Sequence, residues 1–150
     1  MGVSDRCGEE MFLRQVGVIH SSLKCREDCP RQGIEGGVEA EVEVSAEFAS
    51  GLEGIEAGRE VILLTWLHMA DREKLKVHPR GDEGAPLRGV FVTRSPSRPN
   101  PIGLHRVKIA EVRGTTLKVY PLEAVDGTPV IDIKAVIRGE EPGAGGGKTP

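Results

Sequence analysis

What the chain lacks narrows it first. Its 150 residues contain no run of eighteen or more apolar positions, so no membrane-spanning helix is expected. The opening "MGVSDRCGEEMFLRQ" has no apolar segment of the kind a secretory signal needs. Arg6 stands where a myristoylation signal requires Ser or Thr. Three cysteines, an odd number, argue against a disulfide framework. Without an export signal the chain is expected in the cytoplasm, where thiols stay reduced. A formal net charge of −3 gives no global pull toward nucleic acid. Helical periodicity is almost missing, no internal repeat is present, and no βαβ unit appears, which excludes the usual dinucleotide-binding fold.

What is present reads as strands. "GVEAEVEVSAEF" alternates, with Val38, Ala40, Val42, Val44, Ala46 and Phe48 on one face and Glu39, Glu41, Glu43 and Glu47 on the other, the period of a half-buried antiparallel strand. "REVILLTWLHM" is continuously apolar, as a strand buried on both faces would be, and a buried helical segment fits the same run. "QVGVIHS", "LRGVFVT", "RVKIAEV", "TLKVYPL" and "VIDIKAVI" add further short strands. "SGLEGIEAG" reads as a short helix or turn, "VRGTTL" as a tight hairpin and "VDGTPV" as an Asp-Gly turn. Six or seven such strands predict an all-β domain, a single small closed or partly open β-barrel with short helical turns. Closure protects the strand edges. The domain is expected over residues 14–138, with flexible termini at 1–13 and 139–150.

Two motifs mimic chemistry without supplying it. "PGAGGGKT" resembles a phosphate loop, but Pro142 replaces the first glycine and only Pro150 follows Thr149, so no helix N-terminus can face a phosphate. "CREDC" offers Cys25 and Cys29, but Gln32 stands where an iron–sulfur motif wants a third cysteine, and a zinc site would need two further ligands. No metal is expected. The glutamates of the alternating strand read as a solvated face.

The stretch "RSPSRPNPIGLHRV" (residues 94–107) is different. Between Ala85 and Ala110 there is no acidic residue, while Arg88, Arg94, Arg98, His105, Arg106 and Lys108 all fall there. Pro96, Pro99 and Pro101 fix φ and push the preceding residues to extended conformations. A loop stiffened this way holds arginines in place at low entropic cost, and rigid polar loops on a β scaffold usually recognise something.

These residues resemble the signature of the TrmO family, S-adenosylmethionine-dependent tRNA methyltransferases. "QVGVIHSSLK", "PRQG", "GLEGIEAGREVILLTWLH", "RGVFVTRSPSRPNPIGL" and "VDGTPVIDIK" stand in the family's order. The resemblance implies a small β-barrel, usually paired as a homodimer, that binds S-adenosylmethionine and methylates N6 of threonylcarbamoyladenosine beside the anticodon of tRNA. It places cofactor contacts at Pro30, Arg31 and Gln32, at His68 and Met69, at Arg94 and Leu104, and at the Asp126–Gly127–Thr128 turn. One departure stands out: where the family commonly reads Asp-Ile-Lys-Pro-Tyr, this chain has Ala135 and Val136 after Lys134.

The chemistry agrees with that map. A guanidinium suits the cofactor's carboxylate through its two-pronged donor set, and backbone N–H and C=O groups of a turn can read an adenine edge. The protein's main task is to hold acceptor nitrogen, methyl carbon and sulfur in line. The acceptor must also lose a proton, for which His68, Asp126 and Asp132 are the candidates. His105 reads as a solvent-facing loop histidine and Trp66 as core. Arg88, Arg98, Arg106 and Lys108 are the expected contacts to the phosphates of an anticodon stem-loop. Two rivals remain: the same scaffold methylating a small molecule, and a non-catalytic barrel that senses a nucleoside-like ligand.

Overall fold

A computed structural model describes residues 11–30 and 36–137. Arg31 and Gln32, the phosphate-loop look-alike and most of the two expected flexible termini lie outside the described residues. The strands are β1 (Gly17–His20), β2 (Val38–Val44), β3 (Glu60–Trp66), β4 (Lys76–Val77), β5 (Arg88–Gly89), β6 (Ile102–Arg113), β7 (Thr116–Leu122) and β8 (Pro129–Ala135). Six of them close into a barrel in the order β1-β2-β7-β6-β3-β8, and β4 and β5 form a separate two-stranded ribbon. Every neighbouring pair in the barrel is antiparallel. The chain therefore alternates direction, and its connections sort to two ends. The segments between β1 and β2, between β3 and β6, and between β7 and β8 all leave one end, called the lip here. The segments between β2 and β3 and between β6 and β7 leave the other, the base.

Alternation in the sequence becomes inside and outside in the barrel. On β2, Ala40, Val42 and Val44 are buried, while Glu39, Glu41 and Glu43 face outward. There they meet Lys118, Arg113 and His20 respectively, across the flanking strands. Ile19, Val42, Leu63, Ile109, Leu117, Val119, Leu122 and Val130 have no exposed area at all, each worth about 1.5–3 kcal/mol of transfer free energy. Close approach of two strands demands glycine at one point. A Cβ on Gly17 would lie 2.5 Å from the Glu43 carbonyl oxygen, a backbone atom of the paired strand. Gly17→Ala should therefore destabilise the barrel by about 1–3 kcal/mol, the usual cost of overpacking, measurable as a lowered midpoint in urea with an unchanged slope.

Several elements differ from the sequence reading. β3 is buried on one face only: Val61, Leu63 and Thr65 point in, while Ile62, Leu64 and Trp66 are half-buried outside. Trp66 is thus a wall residue, its ring covered by the Arg72 guanidinium at 5.0 Å. Apolar residues on both faces masked the alternation. "GVFVT" is a 3-10 turn at Val90–Val92, after a strand of only two residues. β2 ends at Val44, and Ala46–Leu52 form a 3-10 segment rather than extending the alternating strand. His105 is no loop residue: β6 begins at Ile102, and His105 points into the barrel, 5% exposed. No helix among the described residues is long and apolar enough to cross a membrane.

Candidate functional site

The lip gathers three of the sequence segments singled out above. The turn between β7 and β8 is docked onto the end of β1 by backbone bonds. Asp126 N–H donates to the Leu23 carbonyl at 2.7 Å and Gly127 N–H to the Ile19 carbonyl at 2.8 Å, while the Thr128 carbonyl accepts from Ile19 N–H at 2.9 Å. Gly127 has φ of 82°, a left-handed conformation that favours glycine. The fully packed Thr128 hydroxyl donates back to the Val125 carbonyl at 2.6 Å. The turn's N–H groups are therefore spent on protein partners. What it can offer a ligand is acceptors: among the described residues the Asp126 and Gly127 carbonyls receive no hydrogen bond.

The Asp126 side chain is committed as well. Its carboxylate accepts from the Ser21 backbone N–H at 2.9 Å and from Lys24 Nζ at 3.0 Å. These contacts, the Ser21 N–H first and Lys24 next, hold its pKa below the ordinary carboxylate value. The folded state then binds fewer protons than the unfolded chain. The resulting stability is present above the ordinary carboxylate pKa and is lost as pH falls through the depressed one. Asp126→Asn should melt earlier than the parent at neutral pH and lose less on acidification, a difference that thermal melts across the acid limb would reveal. An unchanged acid limb would show that the contacts carry no such linkage.

The proline-rich loop is closed by its own arginine. Arg98 Nε donates to the Ser95 carbonyl at 2.8 Å, and its Nη2 donates to the Val90 and Thr93 carbonyls at 2.8 and 2.7 Å. Hydroxyl turns complete the structure: Ser95 N–H donates to Thr93 Oγ1 at 3.1 Å and Ser97 N–H to Ser95 Oγ at 3.2 Å. The Val90 carbonyl also accepts from Thr93 N–H at 3.1 Å and Thr93 Oγ1 at 2.9 Å, whereas the Thr93 and Ser95 carbonyls, in a stretch where prolines offer no N–H, take their donor from the one planar guanidinium. Arg72 ties the far side, its Nε donating to the Pro99 carbonyl at 2.8 Å. Arg94 is exposed on this framework.

Other predicted residues fall as follows. His68 and Met69 stand exposed where β3 leaves the lip, next to Leu67, whose N–H donates to the Pro101 carbonyl at 2.7 Å. Pro30 is half-buried within the segment between β1 and β2. Leu104 is 48% exposed on the outer wall. Asp132 also lies on the wall, with Oδ2 3.0 Å from Lys134 Nζ.

The four candidate phosphate contacts do not form one patch. Arg88 is exposed on the ribbon. Arg98 is the loop clasp. Arg106 and Lys108 lie on the outer wall of β6, and Arg106 Nη2 contacts Glu60 Oε2 at 2.6 Å. Cys25 and Cys29 flank a 3-10 turn. The Cys25 thiol pKa is pushed up, chiefly by its hydrogen bond to the Asp28 carboxylate, and that of Cys29 chiefly by burial. Both shifts disfavour the thiolate, the form that binds metals. No group of three ligating side chains suited to a metal occurs among the described residues.

The sequence reading missed the clasp role of Arg98 and a buried chain formed by Thr65, His105 and Glu123. The first was traceable in principle, since a loop short of N–H groups needs a donor from elsewhere. The second joins residues distant in sequence and left no local signal.

A family model described as the tRNA-methyltransferase O N-terminal domain matches residues 18–139. An S-adenosyl-L-methionine-binding protein of Archaeoglobus fulgidus is 50% identical over 124 residues, covering 83% of this chain and 88% of that protein. A probable S-adenosyl-L-methionine-binding protein of Methanothermobacter thermautotrophicus is 45% identical over 125 residues, covering 83% of this chain and 89% of its own length. Among solved structures, a crystal structure of TrmO from Pseudomonas aeruginosa superposes with a TM-score of 0.70 at 27% identity, covering 86% of this chain but only 57% of that one. This chain thus spans less than two thirds of the crystallised protein.

Proposed function

From the finding that this chain belongs to the tRNA-methyltransferase O N-terminal domain family, we propose that it is an S-adenosylmethionine-dependent methyltransferase whose acceptor is N6 of threonylcarbamoyladenosine in tRNA. The observation that carries the reading is the convergence, at one end of a closed barrel, of a proline loop clasped by Arg98 and a turn docked onto β1. The fit to the cofactor rests on complementary donors and acceptors. Arg94 presents an exposed guanidinium, suited to a carboxylate. The Asp126 and Gly127 carbonyls present acceptors, suited to an amino group or ribose hydroxyls.

When bound, S-adenosylmethionine supplies an activated methyl group on sulfur. The chain's own residues have two tasks: to hold the acceptor nitrogen in line with that methyl, and to provide a place for the acceptor's proton. Of the three candidate proton acceptors, Asp126 is occupied by Ser21 and Lys24, and Asp132 stands on the wall beside Lys134. His68 remains, exposed at the lip with no side-chain partner among the described residues, and we assign it the proton.

The outer wall supports a second part of the proposal, a homodimer. Leu64 lies opposite Leu104 and Trp66 opposite Ile102 across β3 and β6, and Leu104 and Ile102 are 48% and 39% exposed. A second copy would cover this apolar strip, which reaches the lip. Sedimentation of Leu104→Glu against the parent tests it, a parent that sediments as a monomer removing this part. The proposed setting is the cytoplasm, where Cys25 and Cys29 stay as thiols. Radiolabelled S-adenosylmethionine incubated with the protein and either total tRNA or a small-molecule extract tests the activity. Label in tRNA, recovered as the methylated modified adenosine, supports the reading. Label only in the extract would replace it with a small-molecule methyltransferase, and binding without transfer would leave a sensing barrel.

A further inference from the structure

Three polar side chains meet at the lip end of the barrel, two buried and the third largely so. Thr65 on β3 is fully buried, His105 on β6 is 5% exposed, and the Glu123 side chain, just past β7, is 15% exposed. They form one chain. His105 Nδ1 lies 2.5 Å from Glu123 Oε1, and His105 Nε2 lies 2.7 Å from Thr65 Oγ1. A carboxylate only accepts, so Nδ1 carries the proton. A neutral ring then accepts the Thr65 hydroxyl proton at Nε2, and a protonated ring donates to Thr65 Oγ1 instead. The chain stays closed either way. Gly103 makes room for it, since a Cβ there would fall 2.5 Å from Thr65 Oγ1 and 2.7 Å from His105 Nε2.

Apolar residues of similar volume would fill this space without the cost of removing a carboxylate and an imidazole from water. Such networks, when every member is satisfied, fix a particular geometry. The geometry here is that of the lip. Thr65 stands three residues before His68, His105 stands four residues after Pro101 at the end of the proline-rich loop, and Glu123 stands three residues before Asp126. Each member therefore anchors the root of a different segment of the proposed cofactor site.

We infer that Thr65, His105 and Glu123 are positioning residues, which set the spacing of the His68 segment, the proline-rich loop and the Asp126 turn for S-adenosylmethionine without touching it. This inference rests on the proposed cofactor site. Its test uses the full chain, S-adenosylmethionine calorimetry, thermal melts and the imidazole Nδ1 proton resonance. Glu123→Ala and Thr65→Val should weaken cofactor binding about tenfold or more, the scale of effect expected from small misplacements. Glu123→Gln keeps an acceptor for Nδ1–H and should recover most of the affinity. Val61→Ala, in the core at the base end of β3, supplies the stability control: a lowered midpoint with affinity within about twofold of the parent, as for distant independent sites. The Nδ1 proton resonance should be lost in Glu123→Ala and should move when the cofactor binds the parent. Variants that lose stability as Val61→Ala does yet bind the cofactor as the parent does would overturn the inference, as would a resonance indifferent to the cofactor. A parent that binds no S-adenosylmethionine removes the proposed function and the inference together, an outcome distinct from failure in the variants alone.

Discussion

Arg98→Ala is expected to weaken S-adenosylmethionine binding by about 2–3 kcal/mol, roughly 30- to 150-fold, while leaving the barrel's melting midpoint close to that of the parent. The sequence alone suggested another role, an arginine that meets the phosphates of an anticodon stem-loop. The structure turns the side chain inward, onto the carbonyls of Val90, Thr93 and Ser95. Hydrogen bonds to a charged donor are worth about 1.5–3 kcal/mol each, and three that share one guanidinium do not simply add. Their loss falls on the loop, which packs little core, and so appears as loop disorder rather than global unfolding. A ligand that needs the ordered loop must then supply the ordering free energy, and its apparent affinity drops by that amount. Arg98→Lys should rescue little, because an ammonium cannot present the guanidinium's planar fork to three carbonyls. Arg94→Ala should lose about 1.5–3 kcal/mol of affinity by a different route, direct loss of the carboxylate's partner. Calorimetry paired with backbone hydrogen exchange over residues 90–98 separates the routes. Exchange should rise in Arg98→Ala and stay near the parent's in Arg94→Ala. Unchanged affinity in Arg98→Ala, with exchange raised, would show that the cofactor does not use this loop.

The barrel was legible because it is written locally. The glutamates of β2 mark the outer face and Ala40, Val42 and Val44 the inner one, and a hairpin at Gly114 and a turn at Gly127 appear where the sequence places them, each glycine with positive φ. β3 was harder. Ile62, Leu64 and Trp66 make its outer face apolar too, so a one-sided strand looked like a two-sided one. The lip residues were legible as a cluster, because proline and arginine are dense between 94 and 106, but their directions were not. Whether an arginine points to solvent or to its own loop depends on which carbonyls lack donors, and that depends on the folded path. Residues tied across the barrel were out of reach altogether: Thr65 and His105 are 40 positions apart, and His105 and Glu123 are 18.

RNA affinity, on the proposed reading, should fall with salt along a line that the ribbon sets and the barrel wall does not. Lys74, Lys76 and Arg88 are exposed on or beside β4 and β5, with no ion pair among the described residues. Three phosphate contacts give a slope of log K against log salt of about −2 to −3, at roughly 0.7 per contact on single strands and 0.9 on duplex. Arg88→Ala should flatten the line by roughly one contact's share. Arg106→Ala and Lys108→Ala should leave it unchanged. They stand four and six residues along β6 from Ile102 at the lip, about 13 and 20 Å at the usual strand rise. Arg106 is also engaged by Glu60 at 2.6 Å, so its removal should cost a few tenths of a kcal/mol up to about 1 kcal/mol of stability and no RNA affinity. Filter binding of an anticodon stem-loop at several salt concentrations gives the slopes directly. If Lys108→Ala flattens the line and Arg88→Ala does not, the RNA runs down the wall instead of across the ribbon. If no binding appears at low salt, tRNA is not the acceptor, and the lip serves a small molecule.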